Sequence, residues 1–150
     1  MKNMNYEKGF TLVEIIVVTA VIGVIISFGM ITDFRVLETN TFQVEESVIV
    51  STLEKARSRS MANMFESAHG VCYIAPDYVI FREDEGHCVD GEPTNELVSA
   101  NTNIASNPST TFPTLVFSQL TGNTAGATIH ITDGIKSADI IINNEGAINW

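Results

Sequence analysis

The chain has 150 residues, 45% of them hydrophobic and 17% charged, and a formal net charge of -10. Roughly the first 30 are mostly apolar, which leaves room for one domain of about 100 residues and no second. From residue 61 onward Arg82 and Lys136 stand against eleven acidic residues, a balance that repels phosphate and anionic lipid and excludes the basic patch of a nucleic-acid binder.

Residues 10–31 come first, 22 positions that are apolar or small except for Glu14 and the hydroxyls of Thr11, Thr19 and Ser27. As a helix they would extend about 33 Å, enough to cross a bilayer. Lys2 and Lys8 precede them and Asp33 follows, so the positive-inside tendency keeps the amino end in the cytoplasm and exports the rest. The apolar core is longer than a secretory signal's, and bulky residues follow it where a small-x-small cleavage site would belong. A carboxylate in that setting costs on the order of a few kcal/mol and calls for a positive partner.

Lys8-Gly9-Phe10-Thr11-Leu12-Val13-Glu14 resembles the type IV prepilin signature, in which a short basic leader ends in glycine. The resemblance implies that a prepilin peptidase cuts between Gly9 and Phe10, that the same enzyme N-methylates Phe10, and that the helix stays. It also implies that Glu14, about one turn from the new amino terminus, pairs with the Phe10 ammonium of a neighbouring subunit during assembly. Such a pair selects register in low dielectric, because deleting one partner strands the other. Many fibre-forming members of the class carry a proline well into the mature helix, whereas here Ile31 stands thereabouts and Pro76 is the first proline. Gly23 and Gly29 are candidates for softening the helix or for close helix packing.

Further along, Phe42, Ile49, Leu53, Ala56, Ser60 and Met64 recur at helical spacing and predict an amphipathic helix over 33–68 whose stripe a sheet covers. The ETNT stretch at 38–41 is a weak helix former and marks a candidate bend. Strands at 70–75 and 78–81 flank Pro76-Asp77 as a hairpin. An acidic loop over 83–96 follows, then a Ser/Thr/Asn/Pro loop over 101–113, expected to be the most exposed and mobile segment. Strands at 114–118, 127–132 and 138–143 complete the head, with 147–150 closing an edge.

The expected fold is therefore α+β: a long N-terminal helix, half membrane-spanning and half amphipathic, packed on an antiparallel β-sheet head. The expected division is a leader at 1–9, a transmembrane and polymerisation helix at 10–32, an amphipathic helix at 33–68 and a β-rich head at 69–150. This is also the pilin-like architecture. LEKARSRSMA at 53–62, FSQLTGN at 117–123 and ADIIINNEGAI at 138–148 resemble the minor pseudopilins of the GspH/FimT type.

Export makes Cys72 and Cys88 a candidate disulfide across a loop of about 15 residues, worth roughly 3 kcal/mol; two free thiols are the alternative. His69, Cys72, His87 and Cys88 compete as a zinc set, although ligands at adjacent positions 87 and 88 point apart on an extended chain. Residues 82–92 offer oxygens for calcium without EF-hand spacing, and a solvated acidic loop is the reading preferred. No metal or cofactor is therefore expected. Arg57 and Arg59 reach either acids of the next subunit or Glu54. His130 alternates within a strand, and with no nucleophile elbow or phosphate loop the chain reads as the substrate of an enzyme and not as one itself.

The function so implied is that of a minor pilin or pseudopilin, a structural subunit of a type II secretion pseudopilus or a type IV pilus. It would be a single-pass inner or cytoplasmic membrane protein with its head outside. Its partners would be prepilin peptidase, other pilin subunits, an inner-membrane assembly platform and the membrane, with no nucleic acid. A DNA-binding minor pilin for natural transformation is the alternative, and the acidic head and the arginine-free ending at 145–150 speak against it.

Overall fold

The computed structural model describes residues 9–29, 34–83 and 88–150. The chain forms two compact units, Met1–Glu38 and Thr39–Trp150.

The first unit contains helix α1, Leu12–Gly29. Its side chains up to Ile26 are exposed on every side, from Leu12 at 76% to Ile22 at 49%, so no polar stripe marks a solvent face as it would on a surface helix. Thr19 returns its hydroxyl to the carbonyls of Ile15 (2.9 Å) and Ile16 (3.0 Å), satisfying its one polar group within the helix. Among the described residues no helix is long and apolar enough to cross a membrane. The 18 residues of α1 rise about 27 Å against a hydrocarbon core of about 30 Å. The expected span over 10–32 is longer than α1, and its positions 30–32 lie outside the described residues.

Helix α2, Phe34–Met61, supplies the second unit with its apolar stripe. Phe42, Ile49, Leu53, Ala56 and Ser60 are all buried, as their spacing requires. The helix runs through 38–41 without a break and stops seven residues before the expected end at 68. Ala62 makes the last i-4 bond, to Ser58 O, and Asn63 takes the left-handed conformation at φ 54 with an i-3 bond to Ser60 O. A left-handed asparagine ends a helix, so Met64 leaves the stripe. It falls in a 3-10 turn, Met64–Glu66, and is 39% exposed.

Where one antiparallel sheet was expected, two form. The first contains β1 (His69–Ile74), β2 (Asp77–Arg82), β3 (Glu96–Ser99) and β4 (Leu115–Phe117) in the order β3-β2-β1-β4. The second contains β5 (Ala127–Thr132), β6 (Ser137–Ile142) and β7 (Ile148–Asn149) in chain order. The partners paired within each sheet are antiparallel. One core unites the α2 stripe with Val71, Tyr78 and Ile80 of the first sheet and Ile129, Ile131, Ile140 and Ile142 of the second.

The alternate residues Cys72, Val79 and Phe81 form a second cluster with Ile74, Cys88 and Val116. The strand period of two thus gives β1 and β2 apolar residues on both faces. Gly70 lets the central strand close up, since a Cβ there would lie 2.3 Å from the Phe81 ring and 2.6 Å from Leu115 O.

Residues 101–113 are mostly exposed or half-buried, as expected, but they send two residues into the core. Asn101 caps a single helical turn α3, Thr102–Ala105, accepting the Asn103 amide at 3.0 Å. Ile104 and Ala105 are buried, and Thr111 bridges to His130. Ile104 and Ala105 thus attach an otherwise polar stretch to the core.

Candidate functional site

The amino-terminal site is built on the start of α1. Thr11 is its N-cap: the hydroxyl accepts the Glu14 amide at 3.3 Å and the carbonyl accepts the Ile15 amide at 3.3 Å. Thr11 and Glu14 stand in the Thr-x-x-Glu spacing of a capping box, legible in the sequence yet overshadowed by the leader signature. Glu14 lies in the first turn, where the helix dipole favours a negative charge. It is exposed, as are Gly9 and Phe10, which lie ahead of the helix without regular structure. A Cβ on Gly9 would meet nothing within 4 Å, so no packing constraint requires glycine there.

A family model for the prokaryotic N-terminal methylation motif matches residues 4–30. The match supports a type IV pilin-like protein. It covers Gly9, Phe10, Glu14 and all of α1 through Gly29. No curated protein and no solved structure gives a match. The α+β architecture, with helices and antiparallel sheets, is compatible with a pilin-like fold.

The second unit brings its polar groups together for structural work. Glu45, 4% exposed on α2, accepts the Tyr78 hydroxyl at 2.6 Å and the Asn101 amide at 3.0 Å. It thereby joins helix, first sheet and the start of α3. Burial, reinforced by the Glu45 carboxylate, pushes the Tyr78 phenol far above its ordinary range. An acid at position 45, between Phe42 and Ile49 on the helical stripe, was the available signal for this buried carboxylate, and sequence reasoning missed it.

Within this chain Arg57 and Arg59 turn to partners other than Glu54. Arg59 and Lys55 both bind the Glu96 carboxylate at the edge of the first sheet. Lys55, then Arg59, hold that carboxyl below the usual range, with desolvation acting against them. Arg57 donates to the carbonyl of Glu145 at 3.0 Å, beside Gly146. That glycine has φ 74, and a Cβ on it would lie 2.1 Å from Gly122 O. The arginines anchor α2 to the head because their partners, 37 and 88 residues away, are beyond the reach of local spacing arguments.

Cys72 and Cys88 are bonded to each other with a Cα separation of 6.2 Å. Their sulfurs are therefore not available as zinc thiolates, and His87 lies outside the described residues. Among the described residues no three His, Cys, Asp or Glu side chains are grouped to hold a metal ion. His130 donates or accepts at Nδ1 with Asp139 at 2.6 Å, a cross-strand pair between β5 and β6.

Proposed function

We propose that the chain is a pilin-like structural subunit, cut between Gly9 and Phe10 by a prepilin peptidase, N-methylated at Phe10 and assembled through its N-terminal helix. The observation that carries this reading is the match of the methylation motif over 4–30. Gly9 and Phe10 lie exposed immediately before a capped helix, where a peptidase gains access to an irregular backbone. Glycine at position 9 answers to no packing demand, which supports its being read by an enzyme.

In this reading residues 1–9 are the leader, 10–32 the membrane and polymerisation helix, 33–68 the connecting segment and 69–150 the head. An all-round apolar surface on α1 is costly in water and favourable in lipid or in a bundle of like helices. Positive-inside charge places the amino end in the cytoplasm and the head outside. Glu14 finds its counter-charge in the Phe10 ammonium of a neighbouring subunit. The partners are the peptidase, other pilin subunits and an inner-membrane assembly platform. The chain belongs by its head motifs with the GspH/FimT-type subunits of a type II secretion pseudopilus or type IV pilus.

Glu14→Gln tests the assembly role in cells that carry the peptidase and the filament machinery. The variant should be processed normally, remain in the membrane and be missing from sheared filaments. Processed Glu14→Gln present in filaments at the wild-type level would overturn it.

A further inference from the structure

We propose that the open edge of β6 takes up an extended, basic segment of another polypeptide as an added antiparallel strand. This edge belongs to the second unit and stands independently of the amino-terminal reading. Thr111 and His130 exchange both of their backbone hydrogen bonds, at 2.8 and 3.1 Å, so the amide and carbonyl of His130 point away from β6. In the β5–β6 register, His130↔Asp139 is therefore a position without ladder bonds, and Ile129↔Ile140 and Ile131↔Ala138 carry them. Backbone groups alternate sides along a strand, so those of Ser137, Asp139 and Ile141 all turn to the side away from β5.

On that side β7 reaches only Ile141 and Ile142, opposite Asn149 and Ile148. Beyond them Asn143 donates to Ala147 O at 3.0 Å. Among the described residues no strand or bridge pairs with the same side of Ser137 and Asp139. Thr111 closes the β5 edge at His130, whereas the unpaired part of β6 has neither a proline nor a bulge to blunt it. Ile140 within it is fully buried, so the core holds this stretch in place. Amides and carbonyls so fixed along an edge are complementary to one further extended chain. From Ser137 to Ile140 the open stretch covers about 14 Å.

Register also fixes the side chains that such a segment carries. Its residue opposite Asp139 shares the solvent face of Asp139, and the residues on either side of it fall on the face of Ala138 and Ile140, which belongs to the core. Asp139 binds His130 Nδ1 through Oδ1 at 2.6 Å, and its side chain is 56% exposed. A carboxylate has lone pairs for a second donor, and opposite charges facing each other across strands attract. A basic residue opposite Asp139 with apolar neighbours satisfies both faces. The net charge of -10 draws in a cationic segment and repels a second copy of this chain. Ile135, 80% exposed, precedes the open stretch, and Trp150, 65% exposed, follows β7 at its other end.

The test uses the full chain in micelles of an uncharged detergent, with the peptide acetyl-Val-Lys-Val-Lys-Val-amide as the probe. Amide exchange followed by NMR should slow at Ser137 and Asp139 by roughly tenfold when the peptide is added. An analogue N-methylated at both lysines loses the donors that face β6 and should bind roughly tenfold more weakly. Its isomer methylated at two valines, whose amides face away, should bind as the parent peptide does. Asp139→Pro withdraws the outward N–H without breaking a bond to β5 and should show the loss seen with the lysine-methylated peptide, while Asp139→Asn keeps that N–H and should lose less. Equal binding of the two methylated isomers would reduce the contact to charge attraction and overturn the proposal. Protection confined to residues outside 137–141, or no binding at about 1 mM peptide, would overturn it as well.

Discussion

Tyr78 donates its hydroxyl to Glu45 at 2.6 Å, and both residues are buried. This contact ties β2 to α2, and the Asn101 amide on the same oxygen extends it to α3. Glu45→Ala strands two donors in the interior at about 1–3 kcal/mol each, so a loss of about 3 kcal/mol is expected in denaturant melts followed by circular dichroism. Glu45→Gln keeps an acceptor and should lose about 1 kcal/mol. The raised Tyr78 phenol adds a pH signature. Its contribution is complete below the unfolded value of about 10 and is lost above that as pH rises toward the folded one. Tyr78→Phe should flatten the alkaline limb of stability, and an unchanged limb would contradict the assignment.

Glu96 governs the acid side through Lys55 and Arg59. Its folded pKa is lowered, so its contribution is present above the unfolded value of about 4.3 and disappears as pH falls through the folded one. All three side chains are partly solvent-exposed, which limits the effect to below about 1 kcal/mol and makes it salt-sensitive. Glu96→Gln should reduce the slope of stability between pH 3 and 5 (about the carboxylate range), and high salt should reduce the difference between variant and wild type.

The Cys72–Cys88 bond joins β1 to the segment after residue 87 across a sequence separation of 16. A loop of that length contributes about 3 kcal/mol by restricting the unfolded chain. Cys72 also belongs to the cluster with Val79 and Phe81 on the face turned from the main core. A Cys72→Ser, Cys88→Ser double variant should melt about 10 °C lower and lose its sensitivity to reductant, whereas the wild type should shift to nearly the same temperature when reduced.

Local pattern carried much of this architecture. The stripe from Phe42 to Ser60 and strand 127–132 follow directly from periods of 3.6 and 2. The hairpin around Pro76-Asp77 was legible in its turn residues. The end of α2 was not, because a left-handed Asn63 stops the helix while the apolar spacing continues to Met64. Two sheets were read as one because nothing local distinguishes a strand that pairs with β1 from one that pairs with β6. The ties of Glu45, Arg57 and Arg59 to distant partners were equally hidden. At the amino terminus the reverse holds: Gly9, Phe10 and Glu14 were legible as a motif, and the N-cap of Thr11 is the structural detail that the motif concealed.

Determination of the amino terminus bears most directly on the account. Coexpressed with an active prepilin peptidase, the purified chain should begin at Phe10 and carry one added methyl group on that residue, as read by intact-mass and fragment spectra. A chain that retains Met1 beside a control prepilin processed in the same cells would contradict it.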